Sequence, residues 1–410
     1  MAITETSLPS TLIRYKKEVE SELHSILSWW MEHMPDKNND GFYGSVSNIN
    51  VHDPNAVKGL VLNSRILWTF SAAYSLTKNS LHLNFATEAF NYILRYFVDE
   101  ELDGAYWSLN ADGSVHDGRK QIYGIAFCIY GLAEYYKISK NKKALEVAVQ
   151  FYEAIEKHSF DEIKNGYWEA FTRNWQPIDD LRLSDKDSNE AKTMNTHLHI
   201  VEAYTNLYSI WPDEKLKEQI INLLNLFDTC FINKKNHHYN LFFDNDWNLK
   251  STLQSYGHDI EAAWLLQQCA EIIKDTNTTQ NFRQLALPVT EATLEMIDKD
   301  GGMWYEYEEA TDKMIYEKHS WPQAEAMIGF LNAYQVSGEE RWLLQSLQSW
   351  NFIKQNIIDK ENGEWFWGLT KDDNLMDKEK AGFWKCPYHS GRACLEVIYR
   401  IDKLLIQKKL

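Results

Sequence analysis

A histidine and a carboxylate share one face of a predicted helix in the segment from Ser255 to Leu266. His258, Glu261 and Leu265 stand at positions i, i+3 and i+7, which fall on the same face of an α-helix. Histidine titrates near neutral pH and therefore serves as a general acid or base. Taken alone, the pair also fits a core histidine beside a structural ion pair, so its meaning depends on the other helices.

Similar groups stand near the starts of five other predicted helices. They are Arg65, Tyr123, Asn195 with His199, Trp321, and Trp384 with His389. Packing explains any single member, whereas the whole set predicts one functional site to which every helix pair contributes. Histidines on opposite walls of a pocket could remove a proton beside a carbonyl group and return one to the other face of the same carbon. A guanidinium such as that of Arg65 could stabilise the enediolate oxygen that forms between the two steps.

The spacing of the histidines does not favour a metal site. His197 and His199 are two residues apart, so their side chains point about 200° apart on a helix and do not chelate one ion together. The chain has no HExxH motif, and no glycine-rich phosphate loop or dinucleotide fingerprint precedes a helix. We therefore predict that the protein uses neither a metal ion nor another cofactor.

Six aromatic segments recur along the chain and indicate an internal repeat. Counted from Tyr43, Tyr106, Tyr167, Tyr239, Trp304 and Trp365, successive segments are 61 to 72 residues apart. Several continue into a polar turn such as Asn110-Ala111-Asp112-Gly113, which is typical of a short β-hairpin.

Apolar periodicity predicts two helices between successive aromatic segments. The predicted helices span 12–33, 61–77, 80–98, 121–137, 142–157, 192–210, 214–228, 257–275, 283–297, 320–336, 340–354 and 391–406. A helical hairpin does not bury its apolar face alone, so six hairpins should stack around a continuous core. We predict an all-α fold, an (α/α)6 barrel of twelve helices with short β-hairpin excursions at one mouth. An open solenoid is the alternative.

The chain is predicted to form one catalytic domain over residues 1–410. No segment rich in Gly, Ser or Pro divides it, and it contains only 8 prolines. The longest irregular stretch, Gln176 to Lys192, is polar and charged. That composition favours a mobile loop over the site rather than a domain boundary.

The composition excludes several classes of partner. A formal charge of −17 argues against nucleic acid and against an anionic membrane, whereas an aromatic content of 14% suits a neutral sugar. The five cysteines form no CxxC pair, and the first residues carry no basic segment followed by an apolar run. We expect a cytoplasmic monomer with reduced thiols.

Four motifs carry a resemblance to a known family. They are Asn195-Thr196-His197-Leu198-His199, Gly257-His258-Asp259-Ile260-Glu261-Ala262, Trp321-Pro322-Gln323-Ala324-Glu325-Ala326 and Pro387-Tyr388-His389-Ser390-Gly391-Arg392. Together they resemble the N-acylglucosamine 2-epimerase superfamily, most closely its cellobiose 2-epimerase branch. The resemblance implies an (α/α)6 barrel. It also implies cofactor-independent C2 epimerisation of the reducing-end glucose of β-1,4-linked disaccharides, which converts cellobiose to glucosyl-mannose and lactose to epilactose.

The resemblance also implies roles for nine residues. His258 and His389 would be the paired acid and base at C2. His199 would assist ring opening and bond the oxygen at C1, and Arg65 would stabilise the enediolate. Sugar hydroxyls would be held, or the histidines oriented, by Tyr123, Asn195 and Glu261, and stacking surfaces would come from Trp321 and Trp384.

Other activities remain open at this stage. The same superfamily includes mannose 2-epimerases, mannose isomerases and N-acylglucosamine 2-epimerases, whose specificity lies largely in loops such as Gln176 to Lys192. A glycoside hydrolase or lyase on the same barrel would need paired carboxylates, for which Glu169, Glu306 and Glu364 are candidates. A carbohydrate-binding module would explain the aromatic residues but not three histidines and an arginine on separate walls.

Overall fold

The computed structural model describes residues 8–407. Within this range twelve α-helices follow one another, with short strands between them. The helices are α1 (Leu8–His33), α2 (Leu60–Thr77), α3 (Ser80–Tyr92), α4 (Ile122–Ser139), α5 (Lys142–His158), α6 (Met194–Tyr208), α7 (Glu214–Leu226), α8 (Tyr256–Ile273), α9 (Thr276–Ala292), α10 (Ser320–Ser337), α11 (Glu340–Phe352) and α12 (Pro387–Gln407). Residues 1–7, from which the sequence predicts no secretion signal, lie outside the described residues.

All twelve predicted helices are confirmed, with differences at their ends. Helix α9 begins at Thr276 rather than at 283, because Asp275 accepts a hydrogen bond from the backbone N–H of Thr278 and starts the helix in a polar segment that shows no apolar periodicity. Helix α12 begins at Pro387, a residue that suits the first turn of a helix. Helices α3, α7 and α11 each continue into a single π-helical turn, at Ile93–Phe97, Phe227–Phe231 and Ile353–Ile357.

The helices form two concentric rings, which confirms the (α/α)6 barrel over the open solenoid. Helices α2, α4, α6, α8, α10 and α12 pack side by side in that order, and α12 packs against α2 to close the inner ring. The odd-numbered helices lie outside, and α1 closes the outer ring by packing against α12. The inner helices are buried around most of their circumference, as in α4, whereas an outer helix such as α5 buries one apolar stripe.

Short turns join the inner helices α2, α4, α6, α8 and α10 to the outer helix that follows each of them. In four hairpins the inner helix ends at a residue with positive φ, and the next residue precedes the outer helix; these pairs are Lys78 with Asn79, Lys140 with Asn141, Lys274 with Asp275 and Gly338 with Glu339. Asn79, Asn141 and Asp275 each accept a hydrogen bond from a backbone N–H of the outer helix. These caps satisfy backbone donors that would otherwise be unpaired, and they therefore stabilise a turn in which the chain reverses within two residues.

Six longer loops lead from an outer helix to the next inner helix, and we call them the mouth loops. They span 34–59, 98–121, 159–193, 232–255, 297–319 and 358–386. Their strands are β1 (Lys58–Gly59), β2 (Ser108–Leu109), β3 (Val115–Asp117), β4 (Lys120–Gln121), β5 (Ala170–Phe171), β6 (Lys192–Thr193), β7 (Phe242–Phe243), β8 (Leu253–Ser255), β9 (Glu306–Glu308), β10 (Lys313–Ile315), β11 (Lys318–His319) and β12 (Gly368–Leu369). The predicted hairpins are confirmed by the antiparallel pairs β2 with β3 and β9 with β10.

Neighbouring mouth loops are also tied to one another. The strand that precedes an inner helix pairs antiparallel with a strand of the following loop, as in β1 with β2, β4 with β5, β6 with β7, β8 with β9 and β11 with β12. A bridge between Val46 and Ala381 joins the first loop to the last. The mouth loops therefore form a closed rim on the inner ring. Among residues 8–407, no helix is long and apolar enough to span a bilayer.

An ion pair between a buried lysine and an aspartate, which we call a lysine clamp, anchors five of the six mouth loops. The pairs are Lys58 with Asp36 (2.9 Å), Lys120 with Asp99 (2.7 Å), Lys192 with Asp161 (2.8 Å), Lys318 with Asp298 (2.7 Å) and Lys380 with Asp359. Each of these lysine side chains is at most 1% exposed. The fourth loop has the neutral residues Gln254 and Asn233 at the corresponding positions. There His238 on the loop bonds Asp259 of α8 instead.

Replacing Lys58 with methionine should lower the free energy of unfolding by about 3–5 kcal/mol, because it leaves the carboxylate of Asp36 buried without its partner. Urea denaturation measures the change. Lys164→Met is the matched control, since Lys164 and its partner Asp246 are 52% and 61% exposed and such exposed pairs add little to stability. Equal losses in the two variants would contradict the anchoring role of the lysine clamp.

Candidate active site

The first turns of the inner helices meet at the mouth that carries the loops. The sixth residues of α2, α4, α6, α8, α10 and α12 form one layer across the barrel and are Arg65, Phe127, His199, Glu261, Glu325 and Arg392. The third residues of α8 and α12 are His258 and His389. The equal helical positions follow from the repeat, because each mouth loop delivers the next inner helix at the same height.

Arg392 links three buried carboxylates at the centre of this layer. Its Nη1 donates to Glu202 Oε1 at 2.7 Å, and its Nη2 donates to Glu325 Oε1 at 2.8 Å and also to Glu261 Oε1. All four side chains are at most 3% exposed. We call this group the Arg392 cluster. It ties α6, α8 and α10 to α12.

The three candidate histidines each use Nδ1 to bond a neighbouring side chain. His199 bonds Glu202 Oε2 at 2.9 Å, and His389 bonds Glu325 Oε1 at 2.7 Å. His258 bonds the hydroxyl of Ser255 at 2.7 Å. In all three rings, Nε2 is the nitrogen that remains for a ligand.

The carboxylates of the Arg392 cluster differ in charge state. Burial disfavours the ionised form of Glu202, but Arg392 and the hydrogen bond from His199 outweigh it and hold the pKa of Glu202 at about 2. Burial and repulsion from Glu325 raise the pKa of Glu261 to about 7 in spite of Arg392. Burial also raises the pKa of Glu325. The guanidinium of Arg392 therefore keeps Glu202 ionised, but it does not fully compensate for the burial of the other two carboxylates, whose pKa values stay raised.

The surroundings of His258 and His389 favour the neutral form of both rings. Burial lowers the pKa of His258 to about 3, and the cation of Lys186 contributes to the shift. Burial, Arg65 and Arg392 lower the pKa of His389 well below its ordinary value. A neutral imidazole with a free Nε2 is the form that accepts a proton.

Arg65 lies beside the histidines in an aromatic pocket. Its guanidinium packs over the rings of Phe127 and Tyr388, with 4.1 and 4.7 Å from Cζ to the ring centroids. Nη2 donates to the hydroxyl of Tyr123 at 2.8 Å, and Nη1 lies 3.5 Å from the thiol of Cys386. No carboxylate among the described residues pairs with Arg65, so its charge is available to a ligand.

Four candidate residues are partly exposed although they stand in otherwise buried helix starts. They are Asn195, His258, Trp321 and His389, from α6, α8, α10 and α12. The ring of Trp321 contacts both His258 and His389, with centroids 4.8 and 5.5 Å apart. These four residues therefore reach solvent at the mouth that carries the loops.

Trp384 adds a further aromatic ring to this mouth, and Asn195 adds a polar atom. Trp384 lies 5.8 Å from Trp107 and 6.0 Å from Tyr123, measured between ring centroids. The side-chain oxygen of Asn195 is buried and has no partner among the described residues. It therefore offers an acceptor to a ligand hydroxyl. The structure thus brings together all nine residues predicted from the sequence.

The loop from Gln176 to Lys192 reaches the same group of candidate residues. Lys186 bonds the hydroxyl of Tyr305, and the ring of Tyr305 lies 6.3 Å from that of Trp321. Gln121 donates to the carbonyl of Leu181 at 3.1 Å and holds the loop to the second mouth loop. The structure places the loop beside the candidate residues, while its role over a functional site and its mobility stay predictions.

His197 does not belong to the site. Its Nδ1 bonds the carbonyl of Thr193 at 2.7 Å, and its Nε2 accepts from the backbone N–H of Tyr167 at 2.9 Å. Gln323, at the same helical position of α10, accepts in the same way from the backbone N–H of Met303. Both side chains anchor a mouth loop to its inner helix.

One group in the site has the spacing of a metal centre. Glu261, Glu325 and His389 each place a potential ligand atom within 4.8 Å of the others. Arg392 donates to both of these glutamates, and His389 Nδ1 is bonded to Glu325. A guanidinium already provides the positive charge that a metal ion would bring, so these residues fit charge pairing better than metal binding.

The sequence did not assign four residues that hold the site together. They are Glu202, Glu325, Tyr388 and Arg392. Glu202 had a recognisable signal, because it follows His199 at i+3 as Glu261 follows His258. Tyr388, Arg392 and Glu325 stand inside the quoted motifs, but their partners lie 64 to 190 residues away along the chain.

The carboxylates considered for a hydrolase have other partners. Glu169 accepts from the backbone N–H of Thr193 at 2.8 Å and also bonds Thr196. Glu364 accepts from the indole of Trp30 at 2.7 Å and from Lys385 at 3.2 Å. Glu306 lies 4.0 Å from Lys186. No two of these three carboxylates face each other as a pair without other partners.

A groove of about 740 Å³ opens at the opposite mouth of the barrel. Gln267, Asn332 and Arg400, which bond one another, are part of its wall. None of the nine predicted residues lines it. The candidate chemistry therefore belongs to the mouth that carries the loops.

Comparison with known proteins agrees with this architecture. The family model described as N-acylglucosamine 2-epimerase matches residues 41–393. The cellobiose 2-epimerase of Bacteroides fragilis is 46% identical over 385 residues, which cover 93% of this chain and 98% of that protein. The cellobiose 2-epimerase of Dictyoglomus turgidum is 38% identical and covers 94% of this chain and 98% of its own length. The solved structure of cellobiose 2-epimerase from Spirochaeta thermophila superposes with a TM-score of 0.91 at 36% identity, over 98% of this chain and 100% of that chain.

His197→Gln should reduce the pH dependence of stability. Burial lowers the pKa of His197 to about 3, so the unfolded chain binds a proton below about pH 6.5 that the folded chain does not bind. The free energy of unfolding should therefore fall with pH between about 6.5 and 3, by up to about 1.4 kcal/mol per pH unit from this residue. Glutamine, which serves at the equivalent position 323, should remove that contribution. Urea denaturation at pH 7 and pH 5 tests this, and an unchanged pH slope would contradict it.

Proposed function

The chain belongs to the N-acylglucosamine 2-epimerase family and is a carbohydrate epimerase, and we propose that it inverts C2 of the reducing-end glucose of β-1,4-linked disaccharides. Cellobiose would give glucosyl-mannose, and lactose would give epilactose. The observation that carries the proposal is the placement of His258 and His389, which approach Trp321 from different helices with Nε2 of each ring unoccupied. Two bases beside one stacking surface suit proton removal from one face of a sugar carbon and proton return to the other.

The proposed reaction removes one proton from C2 and returns one proton to C2. No electrons pass to or from a cofactor. One neutral histidine takes the C2 proton of the open-chain sugar, and the electron pair moves to the carbonyl oxygen at C1 to form an enediolate. The other histidine, which carries a proton, donates it to the opposite face of C2, and the carbonyl reforms. Two neutral rings with free Nε2 atoms hold no proton to donate, so one additional proton must enter the pair before C2 is deprotonated. The pair holds the same single proton at the end of the reaction. Because His389 contributes to the lowered pKa of His258, the pair opposes a second proton.

Arg65 is the group proposed to stabilise the enediolate. Its guanidinium stays charged at any working pH and is already fixed by Tyr123 and two aromatic rings. A preorganised cation of this kind offsets negative charge as it develops on oxygen. We propose that no cofactor is needed, since the substrate's own carbonyl accepts the electron pair.

The remaining candidates are proposed to hold the substrate. His199 would assist ring opening and bond the oxygen at C1. Asn195 offers an unpartnered oxygen to a hydroxyl, and Tyr123 and Glu261 would bond further hydroxyls or orient the histidines. Trp321 and Trp384 would supply stacking surfaces. The closed inner ring supports the further proposal that residues 1–410 act as one domain.

Incubating the protein with cellobiose in D₂O should give glucosyl-mannose that carries deuterium at C2, because the donating histidine exchanges its proton with solvent. Proton NMR of the sugar follows the product, with mannose as a parallel substrate. Conversion of mannose to glucose alone would indicate a mannose 2-epimerase, and a ketose would indicate an isomerase. New reducing ends would indicate a hydrolase. Any of these results would overturn the disaccharide assignment.

His258→Asn and His389→Asn should each lower kcat by about 10²–10⁴, the usual effect of losing a general acid or base. Initial rates of epimer formation, with circular dichroism to confirm folding, provide the measurement. His197→Gln is the control, since it changes a buried histidine of the same barrel that lies outside the proposed machinery. Near-normal kcat in either asparagine variant would defeat the two-histidine mechanism.

A further inference from the structure

We propose that Glu202 is a positioning residue that fixes the tautomer of His199, and that Arg392 and Tyr388 fix Glu202 in turn. The role in catalysis rests on the proposed function, because it concerns the ring-opening step assigned to His199. The tautomer itself is a property of the free protein.

The geometry around Glu202 is asymmetric. Glu202 is 3% exposed and stands one helical turn after His199 on α6. Its Oε2 atom accepts from His199 Nδ1 at 2.9 Å. Its Oε1 atom accepts from Arg392 Nη1 at 2.7 Å, and the hydroxyl of Tyr388 lies 2.6 Å from Oε1 and 2.8 Å from Oε2. The histidine therefore meets only Oε2 and the guanidinium meets only Oε1, while the tyrosine hydroxyl reaches both oxygens.

The charge of Glu202 decides which nitrogen of His199 carries the proton. Arg392 keeps Glu202 ionised, and an ionised carboxylate only accepts hydrogen bonds. Nδ1 of the neutral imidazole must therefore be the protonated nitrogen. Nε2 is left with its lone pair, in the position open to the substrate.

A lone pair on Nε2 is what ring opening requires. Nε2 takes the proton of the hydroxyl at C1 while the bond between C1 and the ring oxygen breaks. The proton then passes to the released oxygen at C5, so that atoms and charge balance and the aldehyde at C1 is formed. The opposite tautomer presents an N–H to the same hydroxyl and does not accept its proton.

Glu202→Gln should invert this tautomer without removing the side chain. The amide oxygen of glutamine must face Arg392 and Tyr388, because the guanidinium only donates. The amide nitrogen then faces His199 Nδ1 and donates to it. The histidine proton is forced onto Nε2, as in a catalytic triad whose carboxylate is replaced by an amide.

The experiment combines ¹⁵N-histidine NMR with kinetics. His199 signals are assigned from their loss in His199→Asn, and spectra of the neutral ring are compared for the wild-type chain and Glu202→Gln. We expect Nδ1 to be protonated in the wild-type chain and Nε2 in the variant. We expect kcat for epimerisation to fall by about 10²–10⁴ in a folded variant.

Asp259→Asn supplies the matched control. Asp259 is a buried carboxylate that accepts from His238 Nδ1 at 2.7 Å and from the backbone N–H of Tyr239 at 2.8 Å. The same isosteric change should invert the tautomer of His238, which belongs to the fourth mouth loop and not to the proposed machinery. We expect kcat to be retained in this variant.

Several results would overturn the proposal. A neutral His199 protonated on Nε2 in the wild-type chain would do so without any variant. An unchanged tautomer in Glu202→Gln, or an inverted tautomer with normal kcat, would do so as well. Failure of the wild-type chain to epimerise a disaccharide would instead defeat the proposed function. The NMR spectra of the free protein would still test the tautomer of His199 independently.

Discussion

The buried guanidinium of Arg392 is the interaction on which the site depends. It stands on the last helix and bonds carboxylates from α6, α8 and α10. Three carboxylates so close together in a dry interior would repel one another strongly without it. Because two of them lie beside the candidate histidines, the same guanidinium also determines how His199 and His389 are oriented. The raised pKa of Glu261 shows that the compensation is incomplete.

The barrel brings these charges together by repetition. Each mouth loop is anchored at the rim and delivers an inner helix whose sixth residue enters the same layer. The lysine clamps do this in five loops through the ion pairs of buried lysines. The fourth loop lacks the pair and relies on Asp259, which stands next to His258 on α8. In this repeat the anchoring carboxylate and a candidate catalytic histidine are neighbours on one helical turn.

Much of the architecture could be predicted from periodicity. In an amphipathic helix an apolar residue recurs every three or four positions, and this periodicity located all twelve helices. The spacing of the aromatic segments indicated the sixfold ring. The ends were less predictable. The start of α9 depends on a capping bond to Asp275, and α3, α7 and α11 end in π-helical turns. Neither feature changes the periodic pattern of apolar residues from which helices are predicted.

The sequence by itself determined which residues face the mouth, because helical position fixes the direction of a side chain. It did not determine their partners. His258 and Glu261 are one turn apart, as are His199 and Glu202, yet only the second pair forms a hydrogen bond. In the first pair Glu261 bonds Arg392, and His258 bonds Ser255. Groups that are distant in the sequence can also bond each carboxylate. Only the closed barrel brings Arg392 close enough to bond Glu261.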